Sequence, residues 1–107
     1  MSRSFLGEFE HRVLLALLGA GPDATPRVAR ERLGRAGQDV SRGALYTTLD
    51  RLEAKGLLRW TSVPGGPARD GLPERRYDVT PAGLDALRAS RRALLDLWEG
   101  LEGVLEG

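Results

Sequence analysis

Between Val40 and Gly56 the sequence specifies one helix at both ends. Ser41 is an N-cap residue, able to accept from a backbone N–H of the first turn. Val40 before it and Leu45 after it stand at the positions of a hydrophobic staple. Leu45, Leu49 and Leu52 predict the buried stripe, with Ala44 and Ala54 beside it. Gly56 suits the left-handed residue that ends a helix. A shorter segment precedes it, opened by Thr25-Pro26, a cap followed by a proline at the first helical position. Val28, Ala29 and Leu33 share one face of that segment, and Gly34 and Gly37 loosen its end. Two short helices joined by a tight turn predict a helix-turn-helix.

The residues after Gly56 decide which kind of helix-turn-helix this is. Apolar and polar residues alternate from Leu58 to Ser62 within Leu57–Val63, a strand pattern. Pro64, Gly65, Gly66, Pro67, Gly71 and Pro73 make residues 64–74 a loop without regular structure. Arg75–Val79 reads as the returning strand. A hairpin after a helix-turn-helix is a winged helix. The predicted class is therefore mainly α with a small β-hairpin: a winged helix-turn-helix over residues 1–79, followed by a long C-terminal dimerisation helix over residues 80–107.

Two more helices flank this unit. Leu6, Phe9, Val13, Leu14, Leu17 and Leu18 recur at helical spacing, with Ser4 as a start cap and Gly19–Pro22 as the stop, so the spacing predicts a helix over about Ser4–Leu18. Leu15 and Leu18 widen its apolar stripe. Thr80-Pro81 opens a last helix that runs to about Leu105. Leu84, Leu87, Arg91, Leu94, Trp98, Leu101 and Leu105 step by three and four, a heptad seam with one polar member. Such a helix, about 37 Å long at 1.5 Å per residue, outreaches a small body and should pair with a second copy. Arg91 on the seam would meet Asp96 or Glu99 of that copy, or water.

Composition narrows the function. The chain has 107 residues and a net charge of +1, but residues 1–79 carry 13 Lys and Arg against 10 Asp and Glu, whereas residues 80–107 carry 3 against 5. A basic body with an acidic tail suits a nucleic-acid-facing domain joined to an assembly helix. There are no cysteines, which excludes disulfides and thiol chemistry. No apolar run reaches the length of a membrane span and no signal-peptide pattern opens the chain, so a soluble cytoplasmic protein is expected. His11 is the one histidine and reads as structural. No metal-ligand set, catalytic constellation or phosphate-cradling glycine motif is present, so neither a cofactor nor an enzyme activity is expected.

Three separated stretches resemble one family. Residues 41–58 (SRGALYTTLDRLEAKGLL) resemble the recognition helix of PadR-like regulators, Arg76–Gly83 resembles their tyrosine-containing strand running into Thr-x-x-Gly, and Leu6–Leu18 resembles their first helix. The resemblance covers nearly the whole chain. It implies a winged-helix DNA-binding domain, a C-terminal dimerisation helix, repression of nearby genes as a homodimer on a pseudo-palindromic operator, and no catalysis. A single C-terminal helix is the pattern of the shorter members. The tip at residues 64–74 carries fewer basic residues than many members do.

On the recognition helix Ser41, Arg42, Gly43, Tyr46 and Thr47 should meet double-stranded DNA, with Arg51 one turn further on. Arg42 can fork onto guanine N7 and O6 or pair with phosphate. Tyr46 resembles the family tyrosine that touches DNA, and it can alternatively pack its ring on the helix pair. Ser41 can cap, contact phosphate, or both, and Arg51 can instead pair with Asp50 or Glu53. Arg69, Arg75 and Arg76 are the wing candidates, and Arg27 a phosphate contact from the second helix. Leu84, Leu87, Leu94, Trp98, Leu101 and Leu105 are the expected dimer contacts. Tryptophan on this helix lines an inter-subunit pocket in multidrug-sensing relatives, so Trp98 is also a candidate for a planar hydrophobic effector, beside its role as a packing anchor. Trp60 is expected to pack in the body. The competing reading is a winged-helix protein-interaction module without specific DNA binding.

Overall fold

The computed structural model describes residues 6–106. Its elements run α1 (Glu8–Ala20), α2 (Pro26–Arg35), α3 (Arg42–Ala54), β1 (Leu58–Val63), β2 (Glu74–Val79) and α4 (Pro81–Trp98), with single 3₁₀ turns at Gly21–Asp23, Pro67–Arg69 and Val104–Glu106. It is mainly helical with an antiparallel hairpin, the predicted class.

Local chemistry explains most boundaries. Thr25, Ser41 and Thr80 each accept from the N–H three residues on, at 3.3, 3.1 and 3.1 Å. The predicted Ser4 cap lies outside the described residues. Within them α1 starts after Gly7, where the Glu10 carboxylate turns back to accept from the Gly7 N–H at 2.9 Å. Gly56, at φ +76°, ends α3 with the paired bonds of a Schellman motif, Gly56 N–H to Glu53 O and Leu57 N–H to Leu52 O.

Val13, Leu14 and Leu17 from α1, Ala29 and Leu33 from α2, Leu45, Leu49 and Leu52 from α3, and Leu58 and Tyr77 from the hairpin form one core. Losing the side chain of any of the α3 leucines should cost about 2–5 kcal/mol. The α3 stripe is completed by buried Thr48, while Ala44 and Ala54 face solvent, because the buried arc turns toward α1 and away from them. Leu15 and Leu18 of α1 are about half exposed, so the core uses only part of the wide apolar stripe.

The base half of the hairpin is anchored twice. Leu58 pairs with Val79 and Trp60 with Tyr77, and the Tyr77 N–H also donates to Ala24 O at 2.8 Å, tying β2 to the α1–α2 connection. At its base Thr80 caps α4 and donates its hydroxyl proton to Gly56 O at 2.7 Å. Gly83 explains the Thr-x-x-Gly pattern: a β-carbon there would collide with the Leu57 carbonyl oxygen and stand 2.7 Å from Val79 Cγ1. The proline- and glycine-rich tip holds one 3₁₀ turn rather than being wholly irregular, with Asp70 and Gly71 reversing the chain at positive φ.

The last helix departs most from expectation. It ends at Trp98, not near Leu105; Gly100 turns at φ +82° and the chain continues in turns. Gly100 and Gly103 lie where a longer helix would need good helix formers. Leu101 and Leu105 therefore leave the heptad seam. Leu87 is buried in the chain's own core, Leu84 is half-buried, and every residue from Arg91 to Glu106 is exposed. The radius of gyration, 15.6 Å, exceeds the roughly 13 Å of a close-packed chain of this length, as a protruding α4 requires.

Candidate nucleic-acid interface

The starts of α2 and α3 and the tip of the hairpin border a groove of about 490 Å³. Arg27 and Arg30 reach it from α2, Arg42 and Tyr46 from α3, and Arg69 and Glu74 from the wing. Here the structure brings together four of the predicted contacts, Arg27, Arg42, Tyr46 and Arg69. Gly43, Thr47 and Arg51 lie along the exposed arc of α3 beside the groove. Ser41 is exposed, and its oxygen holds the Ala44 N–H.

The arginines differ in what already holds them. Arg27 pairs with Glu31 at 3.2 Å, one helical turn away. Arg30 donates to Val40 O at 2.7 Å, bracing the turn between α2 and α3. Arg69 folds back on its own loop, donating to Leu72 O and Pro73 O and standing 3.9 Å from Glu74. Arg42 makes no ion pair or hydrogen bond among the described residues, and its guanidinium lies 5.5 Å from the Tyr46 ring centre.

Arg75 is placed differently from the wing role expected of it. Its guanidinium stacks 4.3 Å above Trp60, donates to the Tyr77 hydroxyl at 3.3 Å and faces Asp50 of α3 at 3.6 Å. The Tyr77 bond, helped by the charges of Asp50 and Glu53, holds the Arg75 proton more tightly than usual against the opposing effect of burial. Burial pushes the Tyr77 phenol up, partly offset by Arg75. Trp60, expected in the body, is 36% exposed at the hairpin, with Arg75 lying over its indole. Arg76 lies on the other face of the hairpin. It borders a second cleft with Arg27, and its Nε is buried without a partner among the described residues.

Two long-range ion pairs are not foreseen from the sequence. Asp50 stands on the exposed arc of α3, between Tyr46 and Thr47 around the helix, and nothing local foretells its long-range partner Arg75. Glu10 joins Lys55 at 2.8 Å, linking the start of α1 to the end of α3. Burial raises the Glu10 pKa, but Lys55, the Gly7 N–H and Arg51 outweigh it and leave the carboxyl below its usual value. That pair leaves a trace: Glu10 interrupts the apolar stripe at the spacing of Val13, Leu14 and Leu17, and a carboxylate there needs a partner.

On the opposite side, α1 and α4 enclose an apolar cleft floored by Ala86, Ala89 and Ala93 and walled by Leu15, Leu94 and Leu97. His11 Nδ1 and Ser90 Oγ bridge it at 2.6 Å, the structural role expected of the histidine. Trp98 does not line this cleft and is 42% exposed.

Comparison with known proteins agrees with this architecture. Residues 14–89 match the transcriptional regulator PadR-like family. The chain belongs to that family. It is 49% identical over 67 residues to the transcriptional regulator Rv3488 of Mycobacterium tuberculosis, a match spanning 63% of this chain and 59% of the relative. The matched region thus spans under two thirds of that curated relative. The fold is similar to a PadR-like transcription factor from Bacteroides fragilis (TM-score 0.74, 27% identity, 90% of this chain and 88% of that one). It is also similar to a PadR family regulator from Eggerthella lenta (TM-score 0.67, 28% identity, 92% and 88%). The family is one of transcriptional regulators, not of enzymes. No helix among the described residues is long and apolar enough to cross a membrane.

Proposed function

We propose that this PadR-like protein binds double-stranded DNA sequence-specifically as a homodimer on a pseudo-palindromic operator and represses transcription there. One observation carries the DNA reading: Arg42 stands at the capped start of α3 with its donors free, in a groove bordered by arginines of α2, α3 and the wing. A helix start entering the major groove there can present Arg42 to a base edge, while Arg27 and Arg76 face the phosphates. Ser41, Gly43, Tyr46, Thr47 and Arg51 complete the helix contacts. Arg69 joins them if a phosphate draws it from its loop carbonyls, and Arg75 acts from behind, through Asp50.

The dimer reading rests on the bare half of α4. Leu94, Leu97 and Trp98 are 50%, 74% and 42% exposed, and Leu94 and Leu97 share a cleft with the half-exposed Leu15 of α1. A second copy is the occupant that gives two recognition helices the spacing of about 34 Å needed for one helical turn of DNA. The division of labour then falls within α4: the turns through Leu87 complete the DNA-binding body, and the rest assembles. An effector site at Trp98 would have to be built between two copies, since one chain leaves the indole outside the α1–α4 cleft.

The test is fluorescence anisotropy with the duplex upstream of the protein's own gene, against a scrambled duplex, over a salt series. Selective binding whose affinity falls steeply with salt is expected. Equal binding to both duplexes, with little salt dependence, would favour a protein-interaction module. Sedimentation should give twice the chain mass, and Leu94→Glu should halve it while leaving the fold intact, because Leu94 touches solvent in the single chain.

A further inference from the structure

The geometry points to Tyr46 as the residue that aims Arg42: its aromatic face, rather than its hydroxyl, holds the Arg42 guanidinium in the direction from which it reads a base. This rests on the DNA-binding reading above and adds a specificity-determining role to it.

Four observations converge. Arg42 and Tyr46 are one turn apart on α3, and helical side chains lean toward the N-terminus, so the Tyr46 ring leans back under Arg42. The guanidinium carbon lies 5.5 Å from the ring centre, within the range where the ring's negative face attracts a cation. Tyr46 is half-buried against the groove wall with Leu45 and Pro26, so it supplies a fixed surface, whereas Arg42 is exposed and would otherwise sample many rotamers. Stacking also leaves the N–H groups at the rim of the planar guanidinium free. Arg30, Arg69 and Arg75 each give some of theirs to carbonyls, a hydroxyl or a carboxylate. Asp39, Glu31 and Glu74 border the same groove, yet none pairs with Arg42 among the described residues. Without the ring, those carboxylates are the alternative resting places for the guanidinium, and each would draw it away from the helix start.

Aiming matters because a forked guanidinium discriminates only when both of its bonds reach guanine N7 and O6 together. A guanidinium loosened from the ring keeps its charge, and so keeps its phosphate attraction, but loses discrimination. The two are separable in one experiment. Duplexes are selected from a random pool by the wild-type chain, and each position of the enriched site is then substituted in turn. Arg42→Ala marks the base pair that Arg42 reads. Tyr46→Leu should reduce the preference at that base pair about tenfold, a larger loss than it causes in affinity for a scrambled duplex. Tyr46→Phe, which keeps the ring, should retain the preference. Arg42→Lys, a point charge without a fork, should lose it as Tyr46→Leu does.

Thermal melting of each variant checks folding, and the two Arg42 variants, altered at an exposed position, carry the test if Tyr46→Leu melts early. In that case Tyr46→Phe must still match wild type at the base pair Arg42 reads. Loss of preference in Tyr46→Phe equal to that in Tyr46→Leu would overturn the inference, because the hydroxyl would then be the active group. Retained preference in a folded Tyr46→Leu, or a uniform loss on every duplex, would overturn it as well. Failure of the wild-type chain to enrich any sequence would instead overturn the DNA-binding reading itself, and the aiming role with it.

Discussion

The recognition helix and the wing both carry arginine toward the same groove, but they hold it in opposite ways. On α3, Arg42 rests on an aromatic ring with its donors free. On the hairpin, Arg69 is folded onto two carbonyls and Arg75 is enclosed by Trp60, Tyr77 and Asp50. The net charge of the two regions hides this difference. A free guanidinium can be offered to a ligand without breaking an existing bond, whereas Arg75 would have to leave an indole, a phenol and a carboxylate. On the proposed reading the helix offers its arginine to DNA, while the hairpin arginines hold the shape of the hairpin itself. Asp50 gives the hairpin arginine a further use: it is an acid on the exposed arc of α3, and on the proposed DNA-binding reading Arg75 offsets a charge that would repel a phosphate backbone.

The widest separation should come from paired alanine variants. Arg42→Ala should cost about 1–3 kcal/mol of binding at one base pair, with the melting temperature unchanged. Arg75→Ala should instead lower stability by about 1 kcal/mol, the scale of an exposed cation–π contact with a weak ion pair. It should also weaken binding to all duplexes alike, by leaving Asp50 uncompensated. Adding Asp50→Asn should then restore that uniform part. Calorimetric melting together with anisotropy on cognate and scrambled duplexes measures both. If Arg75→Ala instead removed a preference at a defined base pair, and Asp50→Asn failed to restore binding, the wing arginine would be a reader and the contrast between the regions would fall.

A second contrast lies within α3 itself. Its first turn is free for a ligand, and its last turn is anchored to α1 through Lys55 and Glu10. Lys55→Gln leaves a buried carboxylate with the Gly7 N–H as its hydrogen-bond partner, and should cost about 1–2 kcal/mol, with Lys55 itself a third exposed. The pH dependence has a defined sign. Folding lowers the Glu10 pKa below its ordinary 4.5, so the bridge contributes in full above that value and is lost as pH falls through the lower folded pKa. The melting difference between wild type and Lys55→Gln should be largest near neutrality and shrink in acid below pH 4.5. A difference that stayed constant into acid would mean that the Glu10 charge is not what the bridge stabilises.

The contrast also tracks what the sequence can reveal. Caps, stripes and turn residues act over three or four positions, so Thr25, Ser41, Gly56 and Thr80 are readable, and with them the order of helices and hairpin. The closeness of Arg42 and Tyr46 is of the same short range, one helical turn. Arg75 is not, because its partners Trp60 and Asp50 come from other elements, and no local pattern says which arginine finds a carboxylate across the fold. Trp60 is misplaced with it, since the cover over the indole is that same arginine. The α4 seam misleads in another way. Its three-and-four spacing continues through Leu101 and Leu105 across Gly100 and Gly103, and the periodicity counts apolar side chains while the backbone cost falls on the glycines between them.

The smallest expected effect tests the helix side of the contrast most directly. Gly43 is in the first turn of α3, on the exposed arc, and a β-carbon there would meet nothing within 4 Å. Its φ is not positive, so the fold has no need of glycine at this position. Alanine has the higher helix propensity, by up to about 1 kcal/mol in a helix interior and less in a first turn, so Gly43→Ala should raise the melting temperature slightly. Should the start of α3 approach a duplex as closely as the proposed reading requires, the added methyl would lie between the helix backbone and the DNA. Affinity for the selected site should then fall, by about two- to fivefold if the loss is under about 1 kcal/mol. Stability and binding would move in opposite directions, which no purely structural role for the glycine can produce. A variant that melts higher and binds as tightly as wild type would set the helix start back from the duplex, leaving the long side chain of Arg42 as its reach into the groove.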